Sequence, residues 1–118
     1  MGWTDYASAP PAGTEICDEA EIGRIRCLTV ESGNGRFPLL LVRLADGIRA
    51  YVNACPHQYL PLDHRGDRIV SADGTRLMCS AHGAMFDITS GAAVQGADCG
   101  LDAVPLAISG GKIRIGQA

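Results

Sequence analysis

An all-β, antiparallel fold, a sandwich or a barrel, is what this chain predicts, and three observations predict it. Short apolar or alternating runs recur between turn residues. The breaks carry Asp-Gly, Asn-Gly or Gly-Gly, the pairs that favour tight hairpins. No window longer than ten residues shows a helical period. Fifteen glycines and six prolines in 118 residues supply the turns that many short strands need.

The elements follow in order. Residues 1–13 are small, polar and proline-rich, and read as a flexible, extended arm. Within it Trp3 and Tyr6 either pin the arm to the body or contact a partner. The body, 14–118, offers strands over Glu15–Cys17, Gly23–Val30, Pro38–Leu44 and Ile48–Val52, and the acidic Asp18–Ile22 piece makes one helical turn. Glu31–Gly35 and Asp46-Gly47 break the later ones. A pair over Arg68–Ser71 and Thr75–Met78 is hinged at Asp73-Gly74. Met85–Asp87, Ala92–Gln95, Val104–Ser109 and Lys112–Ile115 complete the set, the last two joined by Gly110-Gly111. At this length the chain makes one domain, able to bury about two thirds of its unfolded surface.

Composition excludes several classes. The net charge is −3, and no Lys/Arg stretch exists to neutralise phosphates, so no nucleic-acid partner is expected. A small protein of this mildly negative charge would suit docking on a basic patch. The opening residues lack a basic region and an apolar stretch, and Pro38–Val42 is far too short to cross a bilayer. The expectation is a cytoplasmic protein with no membrane partner. Its five cysteines are then thiols or metal ligands rather than a disulfide framework.

Two segments refuse the strand pattern, Cys55–Gly66 and Cys79–Gly83. The first opens Cys55-Pro56-His57 and the second Cys79-Ser80-Ala81-His82, so each supplies one thiolate and one imidazole. Such ligands suit iron–sulfur or zinc, not calcium or magnesium. A structural zinc site usually gathers like residues in close pairs. Mixed pairs instead suit two adjacent metals, one iron taking both cysteines and the other both histidines. A zinc-stabilised structural module is the alternative. No Ser-His-Asp order, phosphate loop or carboxylate pair suggests a catalytic residue.

With these ligands, and with Gly83-Ala84-Met85-Phe86-Asp87 and Gly91 trailing them, the chain resembles the Rieske ferredoxin family over roughly residues 14–116. The resemblance implies a Rieske fold with a small cluster-binding subdomain formed by two loops, and a [2Fe–2S] cluster on Cys55, His57, Cys79 and His82. It implies a third loop, Gly96–Gly100, closing over the cluster. It further implies a one-electron carrier between a flavin-dependent reductase and a non-haem iron oxygenase of the ring-hydroxylating type, inactive on organic substrates by itself. A Rieske subunit of a larger oxidoreductase is the rival within the family. Three departures stand out. Tyr59 occupies a place where many members have Gly, and Pro is missing after Gly96. The 21 residues between His57 and Cys79 exceed what compact members need, the excess falling in Asp63–Thr75. Neither loop has the second cysteine that cross-links the loops in Rieske proteins of cytochrome bc complexes, which points to the disulfide-free, soluble branch.

Other residues get plainer readings. Pro56 stiffens its loop. Gly83 would let backbone approach the sulfides and donate N–H bonds to them. High-potential relatives have hydroxyls where this chain has Ala84 and Phe86. A potential near the low end of the Rieske range, about −150 mV, is therefore expected. Leu60, Pro61 and Leu62 would form an apolar docking face. His64 reads as a solvated loop residue, Cys17, Cys27 and Cys99 as packed thiols, and Asp87 as a turn-closing side chain.

Overall fold

The computed structural model describes residues 2–55, 60–66, 68–80 and 83–117. Among these, nine strands form three three-stranded sheets, and every ladder is antiparallel. The chain divides into two compact units. One comprises residues 1–52 and 102–118, the other Asn53–Leu101.

In the first unit β2 (Ile25–Ser32), β3 (Gly35–Leu44) and β4 (Gly47–Val52) form one sheet in that order. The hairpins turn at Gly33-Asn34 and at Ala45-Asp46, the second one residue earlier than the expected Asp46-Gly47, with Gly47 opening β4 at φ +139°. Central β3 contains Leu39–Val42, all fully buried. That explains its continuous apolar run, because a strand covered on both faces has no polar side to alternate with. Pro38 faces Thr29 of β2 beyond the end of β4, where its missing N–H costs the sheet no ladder bond.

The second sheet runs β1 (Glu15–Asp18), β9 (Lys112–Ile115), β8 (Leu106–Ser109). Its β8–β9 turn is Gly110-Gly111, both at positive φ (58° and 78°), the conformation a two-residue turn of the first primed type demands. A 3-10 turn over Glu19–Glu21 fills the place of the expected helical turn. Ala103 bridges Tyr51 of β4, and the Val52 N–H donates to the Asp102 carbonyl at 2.9 Å, which joins the second sheet's lead-in to the first sheet.

The expected arm is anchored at several points. Trp3 is buried in a 3-10 turn, and Trp3 and Tyr6 both meet Phe37 edge-on, with centroids 6.3 and 5.9 Å away. The Asn34 Nδ2 donates to the Ala9 carbonyl, and the Gly13 N–H to the Ile115 carbonyl. Of the two roles open to Trp3 and Tyr6, the structure shows pinning.

The second unit has the third sheet, β5 (Arg76–Met78), β6 (Met85–Asp87) and β7 (Ala93–Gln95). The expected strand over Arg68–Ser71 reduces to one bridge, Val70 to Leu77. Asp73 takes over its far end: one carboxylate oxygen accepts from the Ser71 hydroxyl, the Thr75 hydroxyl and the Thr75 N–H, curling the chain into a side-chain-held turn. Leu62, Ile69, Leu77 and Phe86 are the unit's fully buried large side chains, Leu77 and Phe86 facing each other across β5 and β6.

Candidate metal centre

Both cysteines of the predicted ligand set lie in this second unit and are buried, Cys55 at 0% and Cys79 at 1% exposure. His57 and His82 lie outside the described residues, as do Pro56 and Tyr59.

Cys55 stands three residues past β4. Its N–H donates to the Leu60 carbonyl at 2.7 Å. Asn53, the one buried polar side chain among the described residues, fastens the same loop a second time. Its Oδ1 accepts the Leu62 N–H at 2.8 Å and its Nδ2 donates to Asp63 Oδ1 at 3.1 Å. The ends of the first loop are thereby drawn together, and Leu62 is driven into the unit's interior.

Cys79 follows β5 directly. Its N–H donates to the Ala84 carbonyl at 2.8 Å, and its carbonyl accepts the Gly83 N–H at 2.8 Å. The second loop is thus a tight connection from β5 to β6 that needs a residue at φ +74°, and Gly83 provides it.

The two loops are stitched to each other. The Ser80 N–H donates to the Leu62 carbonyl at 2.8 Å, and the Ser80 hydroxyl accepts the Arg65 N–H at 2.9 Å. All five cysteines are thiols, so these hydrogen bonds do the joining and no disulfide does. The third segment meets the second loop at one end only. A Cβ on Gly96 would sit 3.1 Å from Ala84 Cα, whereas Gly100 packs on the β6–β7 connection, where a Cβ would collide with the Gly91 carbonyl oxygen.

Some expectations are corrected. The Gly83 N–H is committed to the Cys79 carbonyl, so glycine is there for its conformation rather than as a donor to sulfide. Leu62 is fully buried, so it offers nothing to an apolar face; Leu60 and Pro61 are half-buried. Cys99 is exposed rather than packed, and Cys27 is half-buried, like its neighbours Ile25, Arg26 and Leu28 at the start of β2. His64 is exposed and Cys17 buried, as read from the sequence. Asp87 closes its turn by accepting from the Ser90 N–H and hydroxyl at 2.9 and 2.8 Å. Asn53 was not singled out by sequence; a polar residue between an apolar strand and a ligand loop was the available signal.

The donor chemistry fits an iron–sulfur centre. Two thiols, kept from solvent and outside any disulfide, reach it from loops that hydrogen bonds hold in register. An antiparallel β frame that supplies such a pair is a small thiolate metal-centre domain. The chain belongs to the Rieske [2Fe–2S] domain family, whose profile matches residues 13–105. Its cofactor is accordingly a [2Fe–2S] cluster of the Rieske type.

Among its relatives, the ferredoxin component of the alkene monooxygenase system of Xanthobacter autotrophicus is 33% identical over 82 residues, 70% of this chain and 64% of that protein. The match thus spans somewhat under two thirds of the relative's length. A ferredoxin from Sphingomonas yanoikuyae B1 has a similar structure, with a TM-score of 0.69 and 24% identity over 88% of this chain and 97% of its own. The ferredoxin of carbazole 1,9a-dioxygenase from Nocardioides aromaticivorans IC177 gives 0.66 and 19% over 88% and 96%. At these identities the solved structures establish the fold.

Proposed function

We propose that this chain is a one-electron carrier of the ferredoxin type, with Cys55 and Cys79 on one iron of the cluster and His57 and His82 on the other. The observation that carries the reading is the pair of fully buried thiols on two loops stitched through Ser80. When bound, the cluster supplies a couple that takes up and releases single electrons. The protein's own residues do the rest. Ala84 and Phe86, both fully buried, keep water from the Cys79 side. Asn53 and Ser80 hold the loops so that the ligands need not reorganise between oxidation states, the positioning a cofactor protein contributes.

The electron comes from a flavin-dependent reductase and goes to a non-haem iron oxygenase. The relative from an alkene monooxygenase system and the fold shared with a dioxygenase ferredoxin support that direction. No described helix is long and apolar enough to cross a membrane. A cytoplasmic location goes with the reading, because reduced thiols persist there.

Anaerobic purification followed by metal analysis and electron paramagnetic resonance tests this. Iron and acid-labile sulfide in equal amounts, with a Rieske signal after reduction, are expected. Replacing His57 or His82 with Cys should move the spectrum toward an all-cysteine cluster. Bound zinc with no colour would overturn the reading, as would a normal Rieske signal in Cys55→Ala. Turnover of an organic substrate by the isolated protein would overturn the carrier role.

A further inference from the structure

The long stretch between the two loops is given no task by the ligand set. It carries Arg65 and Arg68, both exposed. Beside the second loop lies an open cleft of about 510 Å³ whose walls include Arg65, Arg68, Met78, Cys79, Ser80 and Gly83. None of its described lining residues is acidic; Asp67, between the two arginines in sequence, lies outside the described residues. Among the described residues, neither guanidinium is in an ion pair.

That is unlike the cations of the other unit. Arg26, Arg36, Arg49, Arg114 and Lys112 each face a carboxylate within 3.8 Å. Arg43 donates to the Glu19 and Ile22 carbonyls. These six are matched at home; Arg76 is, like the two at the cleft, in no ion pair among the described residues, but it lies outside the cleft. Their backbone is held in place. The Arg65 N–H is bonded to the Ser80 hydroxyl, and Arg68 precedes the buried Ile69, whose carbonyl accepts the Met78 N–H at 2.8 Å. Both arginines are therefore registered to the strand that delivers Cys79.

We infer that Arg65 and Arg68 form a cationic docking clamp for surface carboxylates of a redox-partner protein, placed at the Cys79 side of the centre. The inference rests on the carrier reading and names the chemistry of its partner. A guanidinium offers a planar fork that matches a carboxylate, and two of them orient a partner as well as attract it. The cleft is open and its arginines exposed, and among its described lining residues there is no buried hydrogen-bonding side chain aimed at a small ion. It therefore suits the rim of another protein rather than a free anion. Its sign also opposes the net charge of −3, so attraction here is local. The long inter-loop stretch becomes a docking element, and the expectation that this carrier docks on a basic patch is reversed for this face.

Opposite-charge acceptors test the inference. The reduced protein gives one electron to a ferric haem, which becomes ferrous, either on the acidic-faced cytochrome b5 or on the basic-faced cytochrome c. Arg65→Gln and Arg68→Gln should each slow the cytochrome b5 reaction roughly two- to fivefold at low salt. The difference should vanish as the Debye length shrinks to about 3 Å near 1 M. Arg36→Gln, which changes net charge equally, should leave that rate unchanged, and no cleft variant should slow cytochrome c. Equal slowing by Arg36→Gln and Arg65→Gln would overturn the clamp, since net charge alone would then suffice. Slowing of ferricyanide but not of cytochrome b5 would overturn it in favour of a small-anion subsite. A normal Rieske signal in every variant with no response to either arginine removes the clamp alone. A wild-type protein without that signal removes the carrier reading and the clamp with it.

Discussion

The unit formed by residues 1–52 and 102–118 and the unit of residues 53–101 reach order by different means. The first has strands of eight and ten residues in β2 and β3 and a contiguous buried run at Leu39–Val42. The second has three strands of three residues each, and side chains shape most of the remainder: Asn53, Asp73, Ser80, Asp87 and Ser90 all bond backbone N–H groups. Ladders average over many bonds, whereas a turn held by one carboxylate or amide depends on that residue. The frame should tolerate substitution as a matter of degree, and the centre should respond in steps.

The largest effect should come from the thiols. Cys55→Ala or Cys79→Ala is expected to abolish cluster assembly while far-ultraviolet circular dichroism still reports the β frame. Loss of the frame as well would show that the two units fold only together. Next come two buried positions, one per unit. Phe37→Ala removes the ring that Trp3 and Tyr6 meet and should cost about 3–5 kcal/mol in thermal unfolding, with the visible spectrum of the folded protein unchanged. Asn53→Ala strands the Leu62 N–H and should cost only about 1–3 kcal/mol, yet it should disturb the Rieske signal. The reverse pattern would break the contrast.

A smaller change concerns the potential. Ala84→Ser and Phe86→Tyr, at buried positions beside the Cys79 loop, should each raise it by about 60–130 mV at most if their hydroxyls reach the cluster sulfurs. Voltammetry reads this directly, and a wild-type potential well above zero would refute the account of those residues. The smallest effect is local. Hydrogen bonds from the Ser71 hydroxyl, and then from Thr75, hold the Asp73 pKa down from 3.8 to about 2. With a lowered folded pKa, the turn's stabilisation is fully present above about 3.8 and is lost as pH falls through about 2. An NMR titration of the Asp73 carboxyl should show that low midpoint, and Ser71→Ala should raise it.

Much of this was legible in the sequence, for reasons that differ by element. Gly110-Gly111 and Asp73-Gly74 announce turns because their conformations are local. The Leu39–Val42 run announces a central strand because burial on both faces erases alternation. Three features were not legible. Leu62 looks like a surface neighbour of the first ligand pair until Asn53 is seen pulling its N–H inward. Cys99 looks like a core thiol, but its loop turns it to solvent. Arg65 and Arg68 sit in a run that reads as ordinary solvated charge. Their significance is that no described carboxylate pairs with them beside the Cys79 loop, which spacing along the chain does not report.

The joint between the ligand loops has a consequence for how the protein matures. In the cytochrome bc relatives that join is a disulfide, whose formation needs an oxidant and whose survival depends on the surrounding glutathione pool. Here it runs through the Ser80 N–H and hydroxyl. These bonds cannot be cleaved by a thiol, and they leave the Cys55 and Cys79 sulfurs unused. The joint therefore places no demand on an oxidant and is indifferent to the redox poise around it.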